Sequence, residues 1–199
     1  MPSDVTPLRK RTRRAVQDRM SIAAIRLFVE QGYDATTVEQ IAGAVGMSER
    51  TFFRYFATKD DVLEHISVHW RERVATELAA RPADEPTWLA ARRAFDQYVL
   101  ETADQSRALG LIEAIYASPA LHGRHLVRMG RWADAIAPVL RARLGDAPDA
   151  EFRAAVQACV VVTCFEAARR AWVDSGGATP LAELIDTAMA SAAQLLDEA

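Results

Sequence analysis

Met20, Ala24, Leu27 and Phe28 recur at i, i+4, i+7 and i+8, an apolar stripe that predicts a helix from about Thr12 to Gln31, closed by Gly32. A shorter pattern follows, in which Val38, Ile41, Ala42 and Val45 share one face. Thr37 precedes it, placed to cap the helix while Gln40 reaches back to complete a capping box. Gly46 tolerates positive φ and Ser48 is a good N-cap, so the next helix opens about three residues later. At ~100° per residue, Phe52, Phe53 and Phe56 fall in one arc of that helix, and Arg50, Thr51, Arg54 and Tyr55 in the opposite one. Three helices around one apolar core, the last two joined by a tight turn, predict a free-standing helix-turn-helix module.

Beyond residue 80 the periodicity stays helical, with no strand alternation and no glycine-rich phosphate loop. Pro82, Pro86, Ser118 with Pro119, Gly145 through Pro148, Gly176 with Gly177, and Thr179 with Pro180 punctuate it. They bound helices near 58–80, 86–103, 105–117, 119–144, 149–174 and 180–197, nine in all with the first three. The expected fold is all-α and two-domain: a DNA-binding module over 9–57 and a second helical domain over 58–199. Pro138, inside the 119–144 segment, is expected to kink or split it.

The last two helices differ from the rest. Leu181, Leu184, Ile185, Ala188, Met189, Ala192, Leu195 and Leu196 form an unbroken apolar stripe, and Ala154 to Ala168 is apolar nearly all round. A helix buried on every side needs neighbours that the rim of a small domain lacks unless a second subunit supplies them. A homodimer is therefore expected, through Val161, Leu184, Ile185, Ala188, Met189, Ala192 and Leu195.

In a helix-turn-helix the second helix enters the major groove, where arginine can bond guanine O6 and N7 and threonine can touch a thymine methyl or a phosphate. Arg50 and Thr51 are the base-contact candidates. Lys59, just after the Thr58 cap, is expected to hold a backbone phosphate. Charge supports the placement. The net charge is −3, yet residues 8–59 carry ten Lys/Arg against five Asp/Glu, while residues 60–199 carry fourteen against twenty-one. The run Arg9, Lys10, Arg11, Arg13, Arg14 reads as a basic arm ahead of the first helix, able to reach phosphates or the minor groove.

These residues resemble the N-terminal domain of TetR-family transcriptional regulators. The likeness lies in Arg13, Arg14, Ala23, Ala24, Leu27, Phe28, Gly32, Tyr33, Ala35, Thr36, Thr37, Val38, Ile41, Ala42, Gly46, Met47, Ser48, Thr51, Phe52, Phe53, Arg54, Tyr55, Phe56 and Lys59. It implies a homodimer whose N-terminal helices bind a palindromic double-stranded DNA operator and whose C-terminal domain holds a small-molecule effector. By the family pattern, Thr37, Ser48, Arg50, Thr51, Phe53, Tyr55 and Lys59 sit where DNA contacts fall, with Glu49 and Arg54 beside them. The family often has tyrosine where this chain has Phe53, which removes one hydroxyl. The resemblance also places Tyr98, Ile112, Tyr116, Met129, Trp132, Val156, Val160 and Phe165 around an effector cavity, with Arg128, Arg131 and Arg169 as polar partners. A mostly apolar lining suits a lipophilic or amphipathic effector. The run RTFFRYF followed by TKDD, with arginine far outnumbering lysine, is similar to a subgroup that binds acyl-CoA-like ligands.

Other chemistries find little support. His65 with His69, and His122 with His125, have metal-ligand spacing but no clear third ligand, so no metal or other cofactor is expected. No nucleophile elbow or triad context is present, and Glu101, Glu113 and Glu166 are scattered, so no enzymatic activity is expected. No apolar h-region follows the basic run, and Ala154 to Ala168 is broken by Gln157, Thr163 and Glu166. A cytoplasmic protein is expected, with Cys159 and Cys164 as reduced core thiols.

Overall fold

A computed structural model describes residues 5–101 and 105–197, and side chains other than those of 5–9, 105–107 and 195–197. The helices are α1 (Val5–Gln31), α2 (Val38–Ala44), α3 (Glu49–Phe53), α4 (Asp60–Ala80), α5 (Thr87–Arg93), α6 (Asp96–Glu101), α7 (Gln105–Ala117), α8 (Pro119–Arg143), α9 (Ala150–Asp174) and α10 (Leu181–Asp197). The chain is all-helical, and α5 with α6 occupies the segment expected as one helix. The break falls where the Phe95 amide bonds Arg92 O at 3.2 Å. This tightened turn accompanies the seating of Phe95 on Phe165, with ring centroids 4.5 Å apart. Counted as one interrupted helix, the pair leaves nine helices among the described residues, the number expected.

Two compact units divide at Val68 and His69, inside α4. In the first, Met20, Ala24, Phe28, Ile41, Phe52, Phe56, Val62 and Leu63 are buried together. α1 starts earlier than expected, so the basic run is helical and not an arm. Pro7 is tolerated because it lies in the first turn, where the amide has no intrahelical partner. In the second unit α9 packs chiefly on α8 and α10. Its core joins Leu78, Phe95, Ile136, Leu140, Ala158, Phe165, Trp172 and Ile185. Pro138 does not split α8, which runs unbroken to Arg143. Ile136 and Leu140 on either side of the proline are fully buried, and packing holds the helix where one backbone bond is missing.

Candidate functional site

The turn forms as its residues dictate. Thr37 Oγ1 accepts from the Gln40 amide at 3.2 Å while Gln40 Oε1 accepts from the Thr37 amide at 2.9 Å, a complete capping box. Gly46 sits at φ +71°, a left-handed conformation that reverses the chain between α2 and α3. Ser48 Oγ caps α3 by accepting from the Thr51 amide at 3.2 Å and meets the Thr51 hydroxyl at 3.0 Å. Glu49, Arg50 and Arg54 are exposed, and Tyr55 is half-buried. α3 is only five residues long; Arg54 and Tyr55 continue it as a tighter turn, their amides bonding Thr51 O and Phe52 O.

Two expectations need correction here. Phe53 does not lie in one buried arc with Phe52 and Phe56: it is 51% exposed, edge-on to Phe52 and on the same open side as Arg50 and Arg54. Lys59 is not free for a phosphate. Its ammonium donates to the carbonyls of Tyr33 at 2.6 Å, Thr36 at 3.0 Å and Asp34 at 3.4 Å, and lies 4.1 Å from the Tyr33 ring centroid. An ammonium has three N–H donors, so this one is spent on the loop between α1 and α2.

One residue of this surface was read only as part of an arm. The Arg13 guanidinium lies 5.2 Å from the Tyr55 ring centroid, and that of Arg54 lies 5.2 Å from the same ring. One turn along α1, Gln17 Nε2 donates to Tyr55 O at 3.4 Å. The i, i+4 spacing of Arg13 and Gln17, which puts both on one face of α1, was the available signal.

The effector candidates separate into three groups. Tyr98, Ile112, Trp132 and Phe165 are core: Phe165 stands edge-on to Tyr98 at 4.9 Å and stacks on Trp132 at 5.4 Å. Val160, with Val156, borders a pocket of about 440 Å³ beside Trp88 and Phe152. Tyr116 and Met129 line another of about 360 Å³, on which His122, Glu166 and Arg170 also open. Arg128 and Arg169 are buried, and Arg131 is exposed.

Glu166 was read as one of several scattered carboxylates, yet it organises a polar cluster. Its Oε1 accepts from the Tyr116 hydroxyl at 2.5 Å and from His125 Nε2 at 2.9 Å, and its Oε2 from Arg169 Nη1 at 3.3 Å. Burial opposes its ionisation, but the His125 bond and the charge of Arg169 outweigh this and hold its pKa down at about 2. Burial also drives His125 below its ordinary range, which leaves the ring neutral, and raises the Tyr116 phenol. The signal in the sequence was an acid three residues before an arginine on an otherwise apolar helix.

The dimer residues need correction as well. Val161, Ile185 and Met189 are buried in their own subunit's core, while Leu184, Ala188 and Ala192 are half-buried against it. Leu195 lies outside the described side chains. The bare side of α9 instead carries Phe152, 72% exposed, and Val156, with Cys159, Thr163 and Ala167 further along the same stripe. Cys159 is thus exposed, while Cys164 is buried with its Sγ 3.5 Å from Ala188 O. Among the described residues, no group of three or more metal-ligating side chains could hold an ion. His65 bonds Asp18 at 2.8 Å instead. No helix among them is long and apolar enough to cross a membrane.

A capped helix-turn-helix presenting arginines, followed by a larger helical unit with pockets of its own, defines a two-domain DNA-binding regulator. Residues 22–66 match the family described as bacterial regulatory proteins of the tetR family, and residues 85–197 match the MftR C-terminal domain. The transcriptional regulator TcmR of Streptomyces glaucescens is 36% identical over 154 residues, covering 73% of this chain and 68% of its own. The chain belongs to the TetR family, with a C-terminal domain of the MftR type, and is a DNA-binding transcription regulator, not an enzyme. Solved structures share the fold. SmeT, the repressor of a Stenotrophomonas maltophilia multidrug efflux pump, is 15% identical with a TM-score of 0.59, covering 88% of this chain and 89% of its own. FadR of Thermus thermophilus, a repressor solved with lauroyl-CoA, is 24% identical with a TM-score of 0.52, covering 87% and 91%.

Proposed function

We propose that this regulator is a cytoplasmic repressor that binds a palindromic operator as a homodimer and leaves it when a small amphipathic effector occupies the C-terminal domain. The observation that carries the reading is the 360 Å³ pocket with an ionised, fully hydrogen-bonded Glu166 at its polar end. Apolar walls with a few fixed polar groups are what small-ligand sites require. The relatives SmeT and FadR are both described as repressors, and FadR was solved with an acyl-CoA, which favours release by an amphipathic ligand.

The DNA-binding module is the first compact unit, up to Val68, and the effector and dimer domain is the second, from His69 on. Arg50 reads bases, with Thr37, Ser48, Glu49, Thr51, Phe53, Arg54 and Tyr55 around it, while Lys59 holds the α1–α2 loop. The partner subunit covers the Phe152, Val156 and Thr163 stripe of α9, together with Leu184, Ala188 and Ala192. A two-fold dimer sets its recognition helices about one DNA turn apart. An effector that favours a different spacing then lowers operator affinity by its differential affinity for the two states.

The test is binding of purified protein to DNA upstream of its own and neighbouring coding sequences, at two salt concentrations against random competitor. Competitor-resistant protection of a palindrome that small amphiphiles release supports the reading. Binding that is equally weak on all DNA, or that amphiphiles strengthen, overturns it.

A further inference from the structure

α3 shows the solvent an aromatic ring among arginines. Among the described residues of the first unit, Ile22, Val29 and Phe53 are the large apolar side chains left exposed, and of these Phe53 alone lies on α3. Arg50, Phe53 and Arg54 follow at i, i+3 and i+4, so they share one face of the helix and its closing turn. The Phe53 ring also stands on a fixed base. It meets Phe52 edge-on, with ring centroids 5.7 Å apart, and Phe52 is itself fully buried.

The residues around this ring are engaged with one another. The Thr51 hydroxyl meets that of Ser48 at 3.0 Å, and the Arg54 guanidinium lies 5.2 Å from the Tyr55 ring centroid. Arg50 and Phe53 then meet a duplex as neighbours on one face of the helix. A phenyl ring has no donor for a phosphate, and covering an anion with carbon removes its water without replacing the lost hydrogen bonds. The base edges of the major groove offer one apolar group, the C5 methyl of thymine, and phenylalanine is among the side chains that pack on it.

We infer that Phe53 is a specificity-determining residue that packs on a C5 methyl group in the major groove, so that the operator carries thymine there, close to the guanine bonded by Arg50. The helix sets how close. Side chains three residues apart start about 5–6 Å from each other, against a rise of about 3.4 Å per base pair, which places the two contacts within about two base pairs. Cytosine methylated at C5 presents the same carbon and satisfies Phe53 as thymine does. Uracil, which pairs like thymine but lacks the methyl, does not. The inference rests on taking α3 as the recognition helix and Arg50 as its base reader, and adds a second base to what that helix reads.

The experiment uses the full-length protein and a duplex that it selects from a random-sequence pool. Each thymine of that duplex is replaced in turn by deoxyuridine, and each guanine by 7-deazaguanine, which lacks the N7 acceptor; affinities are read by fluorescence anisotropy. The guanine whose replacement weakens wild type but not Arg50→Ala marks the Arg50 contact. At one thymine within about two base pairs of it, uracil should weaken wild type about fourfold per half-site, the worth of one buried methyl group. At the same position 5-methylcytosine paired with guanine should bind more tightly than plain cytosine by a similar factor. Phe53→Ala should bind the thymine and uracil duplexes alike. A selected duplex with no thymine near that guanine, thymines that all tolerate uracil in wild type, or a uracil penalty that persists in Phe53→Ala overturns the inference and leaves α3 as the recognition helix. A loss in Phe53→Ala that is equal on selected and random DNA places the ring on the sugar–phosphate backbone and overturns it as well. A pool that yields no preferred duplex overturns base reading by Arg50 and the inference together.

Discussion

Lys59 donates to the carbonyl oxygen of Tyr33 at 2.6 Å and places its ammonium over the ring of the same residue. With Thr36 O and Asp34 O as further acceptors, the lysine closes the loop between α1 and α2 from the start of α4. Replacing it with methionine removes the donor of three carbonyls and a cation–π contact. Lys59→Met should lower the unfolding free energy by about 1–3 kcal/mol, read by denaturant melts without DNA. The salt dependence of DNA binding should keep its slope. A slope shallower by about one with unchanged stability would instead make Lys59 a phosphate ligand.

Arg50 is exposed on α3 directly after the capped turn. If it reads a base edge, Arg50→Ala costs about 1–3 kcal/mol on the operator and little on random DNA. Arg54 is occupied with the Tyr55 ring, against which Arg13 also packs. Arg54→Ala should therefore weaken both DNAs by similar factors, measured as the ratio of operator to random affinity at one salt concentration. A larger loss of that ratio for Arg54 than for Arg50 would exchange their roles.

Local signals carried the DNA-binding module well, because capping, a left-handed glycine and helical periodicity all act within a few residues. Thr37 with Gln40, Gly46 and Ser48 do in space what their spacing implies. What failed depends on which neighbour arrives from far along the chain. Lys59 meets acceptors more than twenty residues away, and Glu166 meets Tyr116 and His125 across helices. The apolar stripe on α10 was legible, but periodicity cannot say whether a stripe faces its own core or a second subunit. Ile185 and Met189 proved to be core, while the exposed stripe lies on α9.

That stripe separates interface from core by substitution. Phe152→Asp and Val156→Asp place charge on a side of α9 that is bare within the subunit. They should shift the protein from dimer to monomer in sedimentation at micromolar concentration, with the helical signal retained. Ile185→Asp puts a charge into the fully buried core and should cost several kcal/mol, enough to unfold a domain of typical stability. Monomers from Ile185→Asp with an intact fold, or an unchanged dimer in Phe152→Asp, would place the interface elsewhere.

The Glu166 cluster makes stability depend on pH with a defined sign. Glu166 drops from an ordinary 4.5 to about 2 on folding, so its carboxylate stabilises the fold above pH 4.5 and the benefit is lost as pH falls towards 2. The full shift corresponds to on the order of 3 kcal/mol. His125, buried and neutral, adds to the trend from higher pH. The unfolded imidazole takes a proton near 6.5 before the folded one does, so stability already declines as pH falls below that value. Urea melts of wild type should therefore weaken in two stages on acidification. Glu166→Gln should be less stable than wild type at pH 7, and the gap between them should narrow from pH 4.5 to pH 3. Gln keeps the shape but not the charge, so a gap that stays constant or widens would mean that Glu166 is not held as a carboxylate by His125 and Arg169.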